Sequence, residues 1–418
     1  MLIATPLALS LCTAIVAMLL QRRVILIGLI GIAALLSFYI SAIYLLHSGN
    51  AIPPLHVGAW PEPYTISLVI SDLACKFGIL FSVAALCPII LLAREEKSEQ
   101  GYLIPLVFFL LLGVNGILLS NDLFNMYVWL EVSFLASLGI IAQSKTSYSM
   151  QYFGANFINS TAILLSIGLI YGVTGSLSLS VIPKAFATPV GIFASIILLF
   201  SLMFKVGIWP YSFWVERIYP KLPLSMLVLF IGTSTKSIVY MIFKLGFSDW
   251  ILPMMIFGGI TMASSSLRLL FEKSWKNIVI ILMIGQSGLL IIASAILPQF
   301  LWILVLHDVI SKISLALLGG RSGRIAGICF AIVGMSMIGI PPFLGFWAKW
   351  SVISGMWVSS MQYLAVLVLF AQSAIVVALS RMLGIMVFES RMPSSFISLE
   401  VLSSTLLFVF GIALPFLS

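Results

Sequence analysis

Residues 120–142 read SNDLFNMYVWLEVSFLASLGIIA, an apolar and aromatic-rich run with a single acidic residue, Glu131, near its centre. A helix needs about 20 mostly apolar residues to cross the hydrocarbon core of a bilayer, so this stretch predicts a membrane-spanning helix. An ionised side chain at that depth costs about 2.5 to 3.5 kcal/mol on insertion scales and usually faces a protein interior or a hydrated cavity. The stretch therefore predicts a membrane fold and a buried charge that needs a partner.

The composition of the whole chain agrees with this interpretation. Of its 418 residues, 61% are hydrophobic and only 8% are charged. A water-soluble globule of that composition would lack a polar surface, so a soluble fold is excluded. The sequence predicts an all-α, polytopic membrane protein in which residues 1–418 form a single integral membrane domain.

Fourteen apolar runs of spanning length follow one another along the chain. They lie at residues 3–20, 24–46, 66–93, 102–119, 122–143, 156–173, 191–210, 223–246, 250–267, 277–296, 299–318, 325–355, 363–386 and 398–417. The first run has Arg22 and Arg23 after it, the reverse of a signal peptide, so we expect it to stay as the first helix. The four cysteines fall inside these runs without paired spacing, which predicts core residues and neither disulfides nor a metal site.

The basic residues between the runs predict the orientation of the chain. Cytoplasmic loops carry an excess of Lys and Arg. The odd-numbered loops hold thirteen such residues, whereas the even-numbered loops hold only Lys184. The split predicts that both termini are non-cytoplasmic. Because these loops account for most of the +8 net charge, we expect no nucleic-acid partner.

Seven basic residues fall inside the predicted helices, where a charge is unexpected. They are Lys76, Lys205, Lys236, Lys244, Lys312, Lys349 and Arg381. A buried charge can simply pair with another to hold two helices together, or it can take part in moving protons. Lys244 and Arg381 lie near helix ends, so for these two we expect only that they reach the interface.

Two of the lysines lie beside prolines that interrupt a helix. Pro210 frees the carbonyl of Val206, next to Lys205, and Pro341 frees that of Met337, about two turns before Lys349. Irregular backbone at membrane depth is tolerated where it is buried in protein or lines a water-filled cavity. Broken seventh and twelfth helices are therefore expected, although prolines also kink membrane helices without any transport role.

The two broken helices are five runs apart, which predicts an internal repeat. Helices 4–8, about 102–246, would correspond to helices 9–13, about 250–386. Because five is odd, the two repeats would have inverted topology, and paired interruptions of this kind are typical of transport sites.

Two further acid and base pairs have a spacing of four residues, which places both members on one helix face. Asp72 and Lys76 are expected to form a structural pair. Asp308 and Lys312 have the same spacing with His307 beside them, and a structural role and a proton-carrying role are equally compatible with that group.

Several segments together resemble one family. NDLFNMYVWLEVSFLASLGIIA closely resembles the fifth-helix motif of the antiporter-like membrane subunits shared by respiratory complex I, membrane-bound hydrogenases and Mrp cation/proton antiporters. Four more stretches resemble further family segments in the right order, from about residue 57 to 355. They are GAWPEPYTISLVISDL, FKVGIWPYSFWVERIYP, TSTKSIVYMIFKLG and GIPPFLGFWAKW. The chain is most similar to the D-type subunit of Mrp antiporters.

The resemblance implies a role for each matching residue. Glu131 would pair with and tune Lys205, Lys236 would pass the proton onward along the central axis, and Lys349 would lie at the other end of the path. His307, Asp308 and Lys312 would be possible further members of the relay. Where the family has paired serines in the tenth helix this chain has Leu282 and Met283, and Asp308 stands where a histidine is usual. These departures weaken the expectation for the second half of the path.

The function expected from the sequence is translocation of protons or cations by one subunit of a Na⁺(K⁺)/H⁺ antiporter. Its partners would be other membrane subunits, protons, Na⁺ or K⁺, and the lipid of a cell's inner membrane. The alternative is the pump module of an NADH:quinone oxidoreductase or a membrane-bound hydrogenase. The chain has no dinucleotide glycine fingerprint, iron–sulfur cysteine spacing or haem motif, so no cofactor is predicted. A non-transporting relic is disfavoured, since apolar residues would replace useless membrane charges.

Overall fold

The structure is a computed structural model that describes residues 2–49, 52–58, 60, 62–93, 97–144, 146–247, 250–319, 324–388, 401 and 404–409. Within these ranges it is almost wholly helical, and eleven helices are long and apolar enough to cross a membrane. The predicted all-α membrane fold is confirmed. The count of fourteen spans stays a prediction, because most of the fourteenth run lies outside the described residues.

Seventeen α-helices are numbered in chain order. They are α1 (Thr5–Leu19), α2 (Val24–His47), α3 (Asp72–Leu92), α4 (Lys97–Leu119), α5 (Leu123–Ser144), α6 (Thr146–Thr174), α7 (Ile182–Ala185), α8 (Pro189–Val206), α9 (Phe213–Ile218), α10 (Leu224–Gly232), α11 (Ser234–Leu245), α12 (Ile251–Leu269), α13 (Trp275–Ile296), α14 (Leu301–Leu318), α15 (Arg324–Ile338), α16 (Leu344–Val358) and α17 (Gln362–Phe388).

The chain divides into two units. The first comprises Met1–Val206 and Lys221–Gly246, and the second comprises Gly207–Pro220 and Phe247–Ser418. One division falls between Val206, the last residue of α8, and Gly207, which is inside the predicted seventh helix at residues 191–210.

In the first unit, α4 is the central helix and packs against α1, α5 and α11. A buried polar network joins it to its neighbours. The Tyr39 hydroxyl of α2 donates to Asn115 Oδ1 of α4 at 2.8 Å, and Asn115 Nδ2 donates to Ser10 Oγ of α1 at 3.1 Å. Since buried polar groups are costly unless they are paired, this network fixes how the three helices meet.

In the second unit, α13 packs against α9, α12 and α14, while α17 covers α12 and α15. The contact between α12 and α13 depends on small residues. A Cβ atom at Gly258 would lie 2.7 Å from the Gly288 carbonyl oxygen, so no larger residue fits there. Close approach of this kind is the usual way in which membrane helices pack.

Both predicted interruptions are present. α8 ends at Val206, followed by Gly207 with φ of +83°, and α15 ends at Ile338, followed by Gly339 with φ of +90°. A residue in the left-handed region ends a helix, and glycine occupies it without steric cost. A third interruption was not predicted: Thr233, with φ of −124° and ψ of −64°, separates α10 from α11 inside the eighth run.

Three other predictions need correction. Residues 66–68 begin the third run as strand β2 (Ile66–Leu68), not as helix, and pair antiparallel with β1 (Leu55–Val57). α6 begins ten residues earlier than predicted. Cys12 is exposed rather than a core residue, whereas Cys75 and Cys329 are buried. The surface of a membrane helix can be as apolar as its core, so hydropathy alone does not separate the two.

Candidate functional site

Lys205 lies in the last turn of α8, immediately before the break that Gly207 and Pro210 impose. Its side chain is only 3% exposed, deep within the first unit. The carbonyl end of a helix carries partial negative charge, which favours an ammonium group at this position.

Three side chains from neighbouring helices surround the Lys205 ammonium. Nζ donates to Ser160 Oγ of α6 at 2.8 Å and lies 3.5 Å from Glu131 Oε1 of α5. It also lies 4.9 Å from the centre of the Phe134 ring, within cation–π range. Glu131 is 24% exposed, so the buried ammonium connects to a carboxylate that is partly open to the surroundings of the unit.

A second polar contact holds α6 against α8. Asn159 Nδ2 donates to the Ser201 carbonyl oxygen at 2.7 Å, one turn before Lys205. Because Ser160 is the next residue after Asn159, this bond places the serine hydroxyl beside the ammonium. We call Lys205, Glu131, Ser160 and Phe134 the Lys205 site.

Lys236 lies in the first turn of α11, just after the interruption at Thr233, and is fully buried. α11 packs against α8, the helix that carries Lys205. The unpredicted break thus places the central lysine beside irregular backbone, as at the two predicted breaks.

The other four predicted relay residues lie in the second unit. Lys312 forms an ion pair with Asp308 one turn earlier on α14, and these side chains are 3% and 0% exposed. Lys349 of α16 donates to the Met337 carbonyl oxygen and to Gln372 Oε1 of α17. The Met337 carbonyl is the group that Pro341 was predicted to free. His307 is buried on α14 beside this group.

A small cavity of about 30 Å³ joins these side chains. Its lining includes Gln286, His307, Lys312, Lys349 and Gln372. Such a volume accommodates a water molecule, and its polar lining offers the partners that a buried water needs. We call these five residues and Asp308 the Lys349 site.

The seven predicted relay residues therefore fall into two groups, one in each unit. Glu131, Lys205 and Lys236 lie in the first, and His307, Asp308, Lys312 and Lys349 lie in the second. Lysine, histidine and carboxylate groups linked by hydroxyls, amides and water are the groups that accept and release protons in membrane proteins. Within the described residues, no three His, Cys, Asp or Glu side chains cluster as a metal site would require.

Two further ion pairs lie outside these groups. Lys76 Nζ lies 2.7 Å from Asp72 Oδ2, both about two-fifths exposed, as expected of a structural pair. Arg268 of α12 pairs with Glu216 of α9.

Lys244 and Arg381 were expected only to reach the interface, and the structure gives both a further role. Lys244 donates to the carbonyls of Leu118 and Ser120 at the end of α4, and Arg381 donates to those of Leu269 and Leu270 at the end of α12. Both side chains therefore cap a helix C-terminus.

Asn159, Ser160 and Gln372 are among the residues at or beside the two sites that were missed from the sequence. Each is an uncharged polar residue in an apolar run, which is the signal that could have identified it. That signal is weak, since serine is frequent in membrane helices and often bonds to its own backbone, as Ser166 does to Ile163.

Comparison with known proteins connects this geometry to a family. Residues 120–320 match the family model described as NADH:quinone oxidoreductase/Mrp antiporter, TM. The matched region contains the Lys205 site, Lys236 and the Asp308–Lys312 pair. The chain is thus similar to the antiporter-like membrane subunits of this family. The resemblance inferred from the sequence is thereby confirmed.

Similar proteins come from both branches of the family. It is 29% identical over 345 residues to the D-type subunit of the Na⁺/H⁺ antiporter of Alkalihalophilus pseudofirmus, covering 73% of this chain and 70% of the relative. It is 26% identical over 348 residues to the N-type subunit of the NADH-quinone oxidoreductase of Desulforudis audaxviator, covering 72% and 68%.

A solved structure supports the fold over the whole length of the chain. A chain of the Mrp complex from Dietzia sp. DQ12-45-1b superposes with a TM-score of 0.90, covering 99% of this chain and 95% of that one at 22% identity. At that identity the likeness concerns the fold alone.

Proposed function

We propose that this chain is a proton- or cation-translocating subunit of a multisubunit Na⁺(K⁺)/H⁺ antiporter and moves protons through a buried relay of lysines and Glu131. The observation that carries the proposal is the Lys205 site. Lys205 and Glu131 belong to different helices, α8 and α5, and their charged atoms are 3.5 Å apart. The relative from Alkalihalophilus pseudofirmus is named as a Na⁺/H⁺ antiporter component, which favours this member of the family.

The Lys205 site can control a proton because its partners can move separately. A nearby carboxylate stabilises the ammonium form of a lysine, and moving it away removes that stabilisation. Displacement of α5 relative to α8 would therefore decide whether Lys205 keeps or releases its proton. Ser160 supplies a neutral partner at 2.8 Å that remains when the carboxylate withdraws.

The later steps would use the remaining buried residues. Lys236 receives the proton in the first unit, and Lys349 is the relay residue of the second, with His307, Asp308 and Lys312 as further members. The cavity beside Lys312 and Lys349 supports this part, since one bound water could connect the two lysines.

We also propose that residues about 102–246 and about 250–386 are inverted repeats within one membrane domain. Two correspondences support it. The seventh and twelfth helices break at Gly-Ile-X-Pro segments that begin at Gly207 and Gly339, both with positive φ. In addition, Lys244 of the predicted eighth helix caps the fourth (α4), and Arg381 of the predicted thirteenth helix (α17) caps the ninth (α12).

The same proposal covers the partners of the chain and its place in the membrane. Its partners are other membrane subunits, and it moves protons with Na⁺ or K⁺ as the exchanged cation. It lies in the inner membrane with both termini on the non-cytoplasmic side, as the thirteen-to-one distribution of basic residues between the two sets of loops indicates.

Transport measurements on native membrane vesicles test the relay. We expect Lys205→Met and Glu131→Gln to reduce proton movement, followed with a fluorescent pH dye, by about a hundredfold, a loss typical of a removed acid–base group. Lys76→Met is the matched control, since it removes a lysine from an exposed pair. Wild-type transport by Lys205→Met, in a complex of normal abundance, would contradict the relay.

The second candidate function is the proton-pumping module of a redox complex, which the relative from Desulforudis audaxviator favours. Gentle detergent extraction of the tagged chain followed by mass spectrometry separates the two. Small hydrophobic partners alone indicate an antiporter, whereas partners that carry flavin, iron–sulfur clusters or nickel indicate a redox pump.

A further inference from the structure

We propose that Tyr240 and Lys244 extend the proton path from Lys236 to the end of α11, so that Lys244 carries each proton between the buried relay and the surface of the first unit. This inference rests on the proposed function, because it assumes that Lys236 handles protons.

The spacing of the three residues defines a single face of α11. Lys236, Tyr240 and Lys244 are four residues apart in succession, and residues at that spacing are neighbours on a helix. Lys236 and Tyr240 are buried, at 0% and 2% exposure, whereas Lys244 is partly exposed in the last turn of α11. The stripe of polar groups therefore runs from the interior to the surface.

The outer two members meet at one backbone oxygen. The Tyr240 hydroxyl donates to the Leu118 carbonyl at 3.3 Å, and Lys244 Nζ donates to the same carbonyl at 3.2 Å. Nζ also lies 5.9 Å from the centre of the Tyr240 ring. Movement of the flexible, neutral Lys244 side chain from Leu118 toward the Tyr240 hydroxyl would then complete a direct connection.

The transfer conserves one proton. The Lys236 ammonium gives a proton to the Tyr240 oxygen while Tyr240 gives its own hydroxyl proton to the neutral amine of Lys244. Lys236 becomes neutral, Lys244 becomes an ammonium, and the tyrosine is regenerated. Lys244 then releases the proton to water at the end of α11, and no other bond changes.

A purely structural role for Lys244 is the competing explanation, because its ammonium caps the C-terminus of α4 by bonding Leu118 and Ser120. The second unit provides a way to separate the two roles. There Arg381 caps α12 through Leu269 and Leu270, and a guanidinium stays protonated in proteins. Arginine is therefore sufficient for capping and unable to relay a proton.

The test is proton transport by the whole complex in native membrane vesicles, with the amount of complex measured for each variant. We expect Lys244→Arg, which keeps the charge and the cap, to reduce the rate about tenfold or more. Tyr240→Phe should cause a similar loss, and it leaves Lys244 bonded to the Leu118 carbonyl. The control Arg381→Lys makes the reverse exchange in the other cap, where a lysine can bond two carbonyls as Lys244 does, and should stay within about twofold of wild type.

Wild-type transport by Lys244→Arg would overturn the proposal and leave Lys244 as a cap. If that variant fails to assemble, Tyr240→Phe decides in the same way, with wild-type transport overturning the path and a large loss supporting it. If Lys205→Met abolishes transport while both α11 variants are normal, the proposed function stands and this inference fails. If Lys205→Met is normal as well, the proposed function fails with it.

Discussion

The Lys205 site of the first unit and the Lys349 site of the second both contain an ion pair with a buried lysine, but the two pairs connect different parts of the chain. Lys205 and Glu131 are 74 residues apart and join α8 to α5. Asp308 and Lys312 are one turn apart on α14 and move as one body with it. A pair between two helices can open when one helix shifts, whereas a pair within a helix stays closed.

The difference extends to the lysines themselves. Lys205 has a partly exposed carboxylate within reach, while the acceptors of Lys349 are a carbonyl and an amide, both neutral. In the first site, movement of a helix can therefore change how strongly the ammonium form of Lys205 is stabilised. In the second site, the charge of Lys349 depends on groups at a broken helix and on the small cavity beside them.

The largest expected effect concerns the stability of the second pair. Asp308→Asn leaves the ammonium of Lys312 buried without its carboxylate and should lower the free energy of unfolding by about 3 kcal/mol. Asp72→Asn is the matched control, with the same spacing and residue types at an exposed position, and should cost less than about 0.5 kcal/mol. Thermal unfolding of the detergent-solubilised protein measures both.

The comparison between the two sites adds two checks to this prediction. Glu131→Gln should cost clearly less than Asp308→Asn, because Lys205 retains Ser160 and its partner carboxylate was already partly exposed. The double variant Asp308→Leu with Lys312→Met should recover most of the lost stability, since neither buried charge remains. Equal losses for Glu131→Gln and Asp308→Asn would show that the two pairs do not differ as described.

An intermediate effect is expected at Ser160. Ser160→Ala removes a hydrogen bond to the buried ammonium of Lys205 and should cost about 2 kcal/mol, the range for bonds to charged groups. Ser166→Ala on the same helix removes a buried hydroxyl that only bonds to its own backbone at Ile163. We expect that control to cost about 0.5 kcal/mol. If the two serines cost the same in thermal unfolding, Ser160 is not a partner of Lys205.

The smallest effect concerns the glycines at the two helix breaks. Gly339→Ala places a side chain at positive φ and should cost about 1 kcal/mol. Its new methyl would lie 3.3 Å from Cδ of Lys349, so proton transport should change along with stability. At Gly207, which also has a positive φ, the methyl would meet Val215 at 2.6 Å, so a packing loss should add to the backbone strain. Parallel transport and unfolding measurements on both variants check this distinction.

Much of the fold could be predicted from the sequence because it depends on composition and on single residues. Apolar runs of spanning length locate membrane helices, and Pro210 and Pro341 locate two of the interruptions. Thr233 could not be identified as a third, because the neighbouring Gly232 has no proline beside it and single glycines are frequent in membrane helices. The strand at 66–68 could not be recognised, since three apolar residues beside a long apolar helix have no separate periodicity.

Parts of the two sites could be predicted for a similar reason. A charge in an apolar run is conspicuous, so Glu131, Lys205, Lys236 and Lys349 could all be selected as candidates. The Asp308–Lys312 pair follows from spacing on one helix. Ser160 and Gln372 could not be assigned, because an uncharged polar side chain costs little free energy in a membrane helix. Its role can be recognised only from the residues that it contacts.

The sequence alone determined that the chain spans a membrane, that two helices break at prolines, and that a few charges lie within apolar runs. These properties depend on the transfer energy of side chains and on backbone chemistry, which act locally. Tertiary structure alone decided the partner of each charge. It paired Lys205 with Ser160 and Glu131, directed Lys349 to Met337 and Gln372, and placed Lys244 on the end of α4. Such contacts join residues 12 to 126 positions apart, so they exist only after the helices have packed.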